Sequence, residues 1–112
     1  MIEIPEFLRI GNATYVVRVI NKAEITACNK HDQVAWIDYN QQAIYIHDDP
    51  CLAMRREGVV HEALHGLLAF VGRDYNSEKR EDFVVPFAQA LDLFLQENRE
   101  QIARLYPEDF SD

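Results

Sequence analysis

The 112-residue sequence is poor in the features that mark several protein classes. Basic residues number 11 against 19 acidic ones, for a net charge of −8, so the chain lacks the positive surface that nucleic acids or anionic membranes attract. Two cysteines, Cys28 and Cys51, are too few for a disulfide framework and are interpreted as unpaired thiols. No apolar run could span a bilayer, and we expect no signal peptide. These absences favour a cytoplasmic globular protein with one domain over residues 1–112.

Short β-branched and aromatic segments separated by turn residues predict strands over about residues 7–47. The segments 7–10 and 14–20 flank a Gly-Asn turn and predict a β-hairpin. The segments 34–39 and 43–47 flank a polar connection and predict a second hairpin. Residues 25–28 are ambiguous and are interpreted as a possible short strand. Together these patterns predict a small antiparallel sheet.

Helical patterns occupy the second half of the chain, over about residues 50–71 and 78–98. An Asp-Asp-Pro sequence at residues 48–50 predicts an N-cap and a first-turn proline, and Gly72 predicts the end of the first helix. Pro86 either kinks the second helix or marks its start. The predicted core stripe of the first helix comprises Val60, Leu64, Leu67 and Val71. The fold class is therefore predicted to be α+β, with the sheet followed by two packed helices.

The clearest chemical signal is the pattern His-Glu-x-x-His, formed by His61, Glu62 and His65 inside the first predicted helix. At about 100° per residue, the two histidines lie about 40° apart and one turn along the same face, so both imidazoles can bind one ion. Glu62 lies beside that pair, where a carboxylate can accept a proton from a metal-bound water. The pattern therefore predicts a zinc site with Glu62 as the catalytic base.

A tetrahedral catalytic zinc requires a third protein ligand in addition to two histidines. Neither histidine nor cysteine follows His65, so we expect an acidic side chain from the next helix. Glu81 is favoured because the intervening turn reverses the chain and because Glu81 shares the helix face expected to pack on the first helix. Asp82 is the nearest alternative. The other candidates are Asp74, Glu78 and Asp92.

With these residues in place, the chain resembles the small zincin-like metallopeptidases of phages and mobile elements that are related to the ImmA/IrrE family. The resemblance covers about residues 7–98. It rests on the hairpin at 34–47, the His-Glu-x-x-His helix segment at 59–68 and the acidic helix start at 81–84. It implies a zinc ion bound by His61, His65 and an acid matching Glu81. It also implies catalysis by Glu62 and regulatory hydrolysis of an intracellular protein.

Several functional alternatives stay open at this point. The chain could be a zinc peptidase, a catalytically silent zinc-binding accessory protein of a phage or mobile element, or a structural domain with an accidental motif. For a peptidase, the strand at 43–47 is a candidate exposed edge that binds a protein or peptide substrate by strand addition. A second group to stabilise the oxyanion is also expected. The candidates for that role are Tyr39, Tyr45, Tyr75 and His47.

Overall fold

The computed structural model describes residues 1–27, 33–72 and 80–108, with the side chains of residues 80–85 outside that description. Among the described residues, the first half contains all four strands, with one short helix between the two hairpins, and the second half is helical. The elements are β1 (Phe7–Ile10), β2 (Ala13–Ile20), α1 (Lys22–Ala27), β3 (Ala35–Asp38), β4 (Ala43–His47), α2 (Leu52–Phe70), α3 (Arg80–Glu97) and α4 (Arg99–Leu105). The predicted α+β class is confirmed.

The sheet has the order β1-β2-β4-β3 and is mixed. Both predicted hairpins are present, since β1 pairs antiparallel with β2 and β3 pairs antiparallel with β4. The hairpins join through β2 and β4, which are parallel, so the expectation of an all-antiparallel sheet was wrong. The expectation that residues 43–47 form an edge was also wrong, because β4 is paired on both sides. Local turn signals define each hairpin, but the way two hairpins join depends on tertiary packing.

The segment after β2 is a helix and not the suggested strand. In α1, the Asn21 side chain accepts a hydrogen bond from the Glu24 N–H at 3.0 Å, and the Glu24 carboxylate accepts one from the Asn21 N–H at 3.2 Å. This reciprocal arrangement is a capping box, which satisfies two backbone donors at a helix start. Ile25 is buried beneath it. Cys28, the last residue of the suggested strand, lies outside the described residues.

The core lies between one face of the sheet and α2. Its fully buried members include Leu8, Ile44, Ile46, Val59 and Leu67. The core stripe predicted on α2 was partly wrong: Leu67 is buried, but Leu64 is 39% exposed. The error arose because the helix face toward the sheet carries two glycines and a glutamate, and a search for apolar residues at helical spacing does not detect them.

The helix boundaries differ from the sequence prediction at one end of α2. Cys51 is the N-cap and makes no side-chain capping hydrogen bond, so the predicted Asp cap and first-turn proline were wrong. Asp48 instead extends the sheet, because its N–H donates to the Ile20 carbonyl at 3.1 Å. Pro86 lies inside α3 and does not mark its start.

Among the described residues, none of the helices combines the length and apolar character needed to cross a bilayer.

Candidate metal centre

One row of α2 residues packs directly against the sheet. This row is Gly58, Glu62 and Gly66, spaced four residues apart on one side of the helix. A Cβ atom added at Gly58 would lie 3.1 Å from the Ala35 Cβ, and one added at Gly66 would lie 3.0 Å from an Ile10 methyl group. The two glycines therefore allow the helix to approach the sheet closely. Glu62 lies between them and is buried, with 8% of its surface exposed.

The two motif histidines occupy the neighbouring row of α2, nearer to solvent. The ring centroids of His61 and His65 are 4.9 Å apart, with the rings inclined at 65°. The Glu62 Oε2 lies 3.9 Å from the His61 Nε2. The His61 side chain is 65% exposed, whereas that of Glu62 is only 10% exposed. The helix therefore presents two accessible imidazoles above a carboxylate that is held between the helix and the sheet.

These three side chains open into a cleft of about 470 Å³ between α2 and the β3 side of the sheet. Its lining residues are Gln33, Val34, Ala35, Trp36, Met54, Glu57, Gly58, His61, Glu62 and His65. Strand β3 pairs only with β4 among the described residues, so its outer edge is the sheet edge beside the cleft. The site thus combines a polar cluster on a helix with an adjacent strand edge.

The separation of the two imidazole rings is compatible with one shared zinc ion. Zinc–nitrogen bonds of about 2.0–2.1 Å in a tetrahedral site place two imidazole centroids about 5 Å apart. The observed separation of 4.9 Å agrees with that value. Imidazole is also a ligand that zinc prefers, and the rings are accessible from the cleft. His61 and His65 therefore match a pair of zinc ligands in residue type and in ring separation.

Most candidates for the third zinc ligand lie where the structure describes no side chains. Glu81 and Asp82 belong to the first turn of α3, but their side chains are not described, and Asp74 and Glu78 lie outside the described residues. Asp92 is described and exposed, and it accepts a hydrogen bond from Gln96 at 2.9 Å. Within the part of the chain whose side chains are described, no three His, Cys, Asp or Glu residues form a metal-binding group. Glu81 therefore stays a prediction.

Of the four candidates for a second oxyanion-stabilising group, the three that the structure describes do not line the cleft. The Tyr45 hydroxyl donates to the Gln41 side chain at 3.2 Å, and the Tyr45 ring stacks on Trp36. His47 borders a separate surface depression beside α1. Tyr39 is not among the cleft residues, and Tyr75 lies outside the described residues.

Sequence reasoning missed the other residues of the cleft. Gln33 and Trp36 come from the β3 side, and Met54 and Glu57 come from the first half of α2. The signal for Glu57 was available, because it precedes His61 by four residues and so shares the face of both histidines. No comparable signal existed for Gln33 or Trp36, since their position depends on how the outer hairpin packs on α2.

Comparisons of this chain with protein-family models, with curated proteins and with solved structures found no match.

Proposed function

We propose that this protein is a zinc-dependent peptidase that hydrolyses a peptide bond in an intracellular protein. The observation that carries the proposal is the accessible His61–His65 pair, 4.9 Å apart, with the Glu62 carboxylate 3.9 Å from His61 in the same cleft. His61 and His65 would hold the zinc, and an acid at the start of α3, Glu81 in preference to Asp82 or Glu78, would complete the set. A bound zinc supplies Lewis acidity, which acidifies water and stabilises developing negative charge on oxygen.

Glu62 is the general base in this proposal. A carboxylate accepts a proton from the attacking water and then donates it to the amine that leaves. Packing between Gly58 and Gly66 restricts the Glu62 side chain and keeps its carboxylate beside the histidines. A base that is already positioned contributes more to the rate than one that must be ordered during the reaction.

The neighbouring strand supports a peptide as the substrate. An extended peptide can add to an open strand edge through main-chain hydrogen bonds, which are independent of side-chain identity. The edge beside the cleft belongs to β3. Strand β3, and not β4 as first expected, is therefore the candidate for binding the substrate by strand addition. A peptide on this edge would pass directly in front of the histidine row.

The proposal places the chain with the zincin-like peptidases of phages and mobile elements that it resembles, and in the cytoplasm. The resemblance is supported by the order of elements, since the β3–β4 hairpin precedes the motif helix and α3 follows it. The exposed free thiol of Cys51 is compatible with a reducing compartment. The net charge of −8 supports a protein or peptide partner in preference to nucleic acid or a membrane surface.

The direct test replaces Glu62 with glutamine, which has nearly the same shape but cannot act as a base. Zinc-loaded wild-type protein and Glu62→Gln are incubated with a library of peptides derived from intracellular proteins, and cleavage is followed by mass spectrometry. We expect Glu62→Gln to retain zinc and to cleave at least about 100-fold more slowly, the usual contribution of a general base. Glu97→Gln, the same change at an exposed position of α3, is the control and should match the wild type.

Two outcomes would contradict the peptidase proposal. Equal cleavage by wild type and Glu62→Gln would show that Glu62 is not the general base. Zinc held by four protein ligands, with no position open to water, would instead indicate the silent zinc-binding accessory protein, because structural zinc sites are closed in this way. X-ray absorption spectroscopy of the zinc-loaded protein distinguishes the open site from the closed one.

A further inference from the structure

We propose that Glu57 forms a subsite for a basic side chain of the substrate, lysine or arginine, one or two residues from the scissile bond. This inference rests on the proposed function, because it assigns a sequence preference to the same cleft. Glu57 is neither a zinc ligand nor the general base in the proposed function. The subsite can therefore be disproved while the peptidase proposal stands.

The position of Glu57 fixes the distance of this subsite from the reacting centre. Glu57, His61 and His65 form one row along α2, with Glu57 one turn before the first histidine. Four residues of helix advance by about 6 Å. Two residues of extended peptide advance by about 6.6 Å. A peptide that lies along β3 with its scissile bond at the histidines therefore presents a nearby side chain to Glu57.

The charge around Glu57 favours a cation from the substrate. Glu57 is exposed, and no lysine or arginine is among the described residues that line the cleft. The two arginines that precede it are engaged elsewhere. The Arg55 Nε donates to the Pro50 carbonyl at 2.8 Å, and the Arg56 guanidinium lies 4.6 Å from the centre of the Tyr106 ring. Glu57 therefore faces the cleft with its negative charge available for an incoming ligand.

The remaining walls of the cleft suit the stem of a long basic side chain. Met54, which is 52% exposed, lies in the turn of α2 before Glu57, and Val34, which precedes β3, lies on the strand side against Gly58. Lysine and arginine carry apolar methylene groups that pack on such surfaces while the charged end meets a carboxylate. Glu62, the other carboxylate of the cleft, is buried beside His61 and does not offer this surface.

Trp36 gives a binding assay that does not depend on turnover. It is the single tryptophan of the chain and it lies in β3, the edge strand along which the peptide is placed, so its fluorescence reports a peptide that adds to this strand. The probes are three blocked pentapeptides, acetyl-Ala-Val-X-Val-Ala-amide, with X as lysine, glutamine or glutamate. They are titrated into zinc-loaded wild-type protein, Glu57→Gln and Glu57→Lys. Glu97→Gln is the control, because it changes the net charge equally at an exposed position outside the cleft.

We expect wild type and Glu97→Gln to bind the lysine peptide about three- to tenfold more tightly than the glutamine peptide, as a partly solvated ion pair gives. Glu57→Gln should lose this preference, and Glu57→Lys should prefer the glutamate peptide. Equal binding of the three peptides by wild type, or an unchanged preference in Glu57→Gln, overturns the subsite. Loss of zinc from Glu57→Gln also overturns the subsite, because Glu57 would then be a zinc ligand. Failure of the Glu62 test leaves these binding ratios unaffected, so the two proposals fail separately.

Discussion

Asn98 lies at the junction of α3 and α4 and ties both helices to the free edge of β1. It is fully buried, and its side chain makes three hydrogen bonds of 2.8 Å. Its Oδ1 accepts from the Arg9 N–H, and its Nδ2 donates to the carbonyls of Arg9 and Phe94. The amide therefore pairs with the outward backbone groups of β1 as a neighbouring strand would. This contact holds the helix that carries the predicted third ligand against the sheet.

Replacing Asn98 with alanine removes all three hydrogen bonds. At about 1 kcal/mol each, their loss lowers the free energy of unfolding by about 3 kcal/mol. The Phe94 carbonyl keeps a second bond, from the Asn98 N–H at 3.0 Å, so the unpaired groups are the N–H and carbonyl of Arg9. For a domain of this size, 3 kcal/mol corresponds to a fall in melting temperature of roughly 12–20 °C.

Urea denaturation followed by circular dichroism measures this effect. Gln96→Ala is the control, because Gln96 is an exposed amide on the same helix whose single described hydrogen bond goes to Asp92. We expect Gln96→Ala to change the free energy of unfolding by less than about 0.5 kcal/mol. A loss below 1 kcal/mol in Asn98→Ala, on the order of one hydrogen bond, would refute the strand-like role of the amide.

Two further predictions concern the packing of α2 and a buried phenol. Gly66→Ala should lower the free energy of unfolding by about 1 kcal/mol, because overpacking against Ile10 and Ile37 outweighs the gain in helix propensity; a more stable variant in urea denaturation would show that the helix can move away from the sheet. Burial raises the pKa of Tyr15 above its usual value near 10, so the unfolded chain loses the phenol proton first and stability declines as the pH rises above about 10. Tyr15→Phe should reduce that decline in denaturation measured between pH 8 and pH 11, and an unchanged slope would contradict the assignment.

The predictable parts of this protein are those that local geometry determines. The relation between His61 and His65 follows from helix periodicity alone, so it holds wherever the helix packs. The first hairpin follows from its turn, in which Gly11 adopts a φ of +63° that favours glycine. A side chain at that position would also collide with the Phe70 ring, which an added Cβ would meet at 2.3 Å.

The less predictable parts depend on contacts between distant segments. The parallel pairing of β2 with β4 joins two hairpins that each look complete by themselves. The burial of Glu62 depends on the close approach of α2 to Ala35 and Ile10, which the glycines at 58 and 66 allow. Sequence patterns treat glycine and glutamate as exposed helix residues, so the buried face of α2 was assigned incorrectly.

Zinc binding by the histidine pair is tested by the metal content of the purified chain after equilibration with excess zinc and desalting. We expect one zinc per chain in the wild type and at least about 100-fold weaker binding in His61→Ala and in His65→Ala, since each removes one of the ligands that fix the ion. Circular dichroism should confirm that both variants are folded. A wild-type chain that retains no zinc, or folded histidine variants that retain as much as the wild type, would show that the two histidines do not form a zinc site.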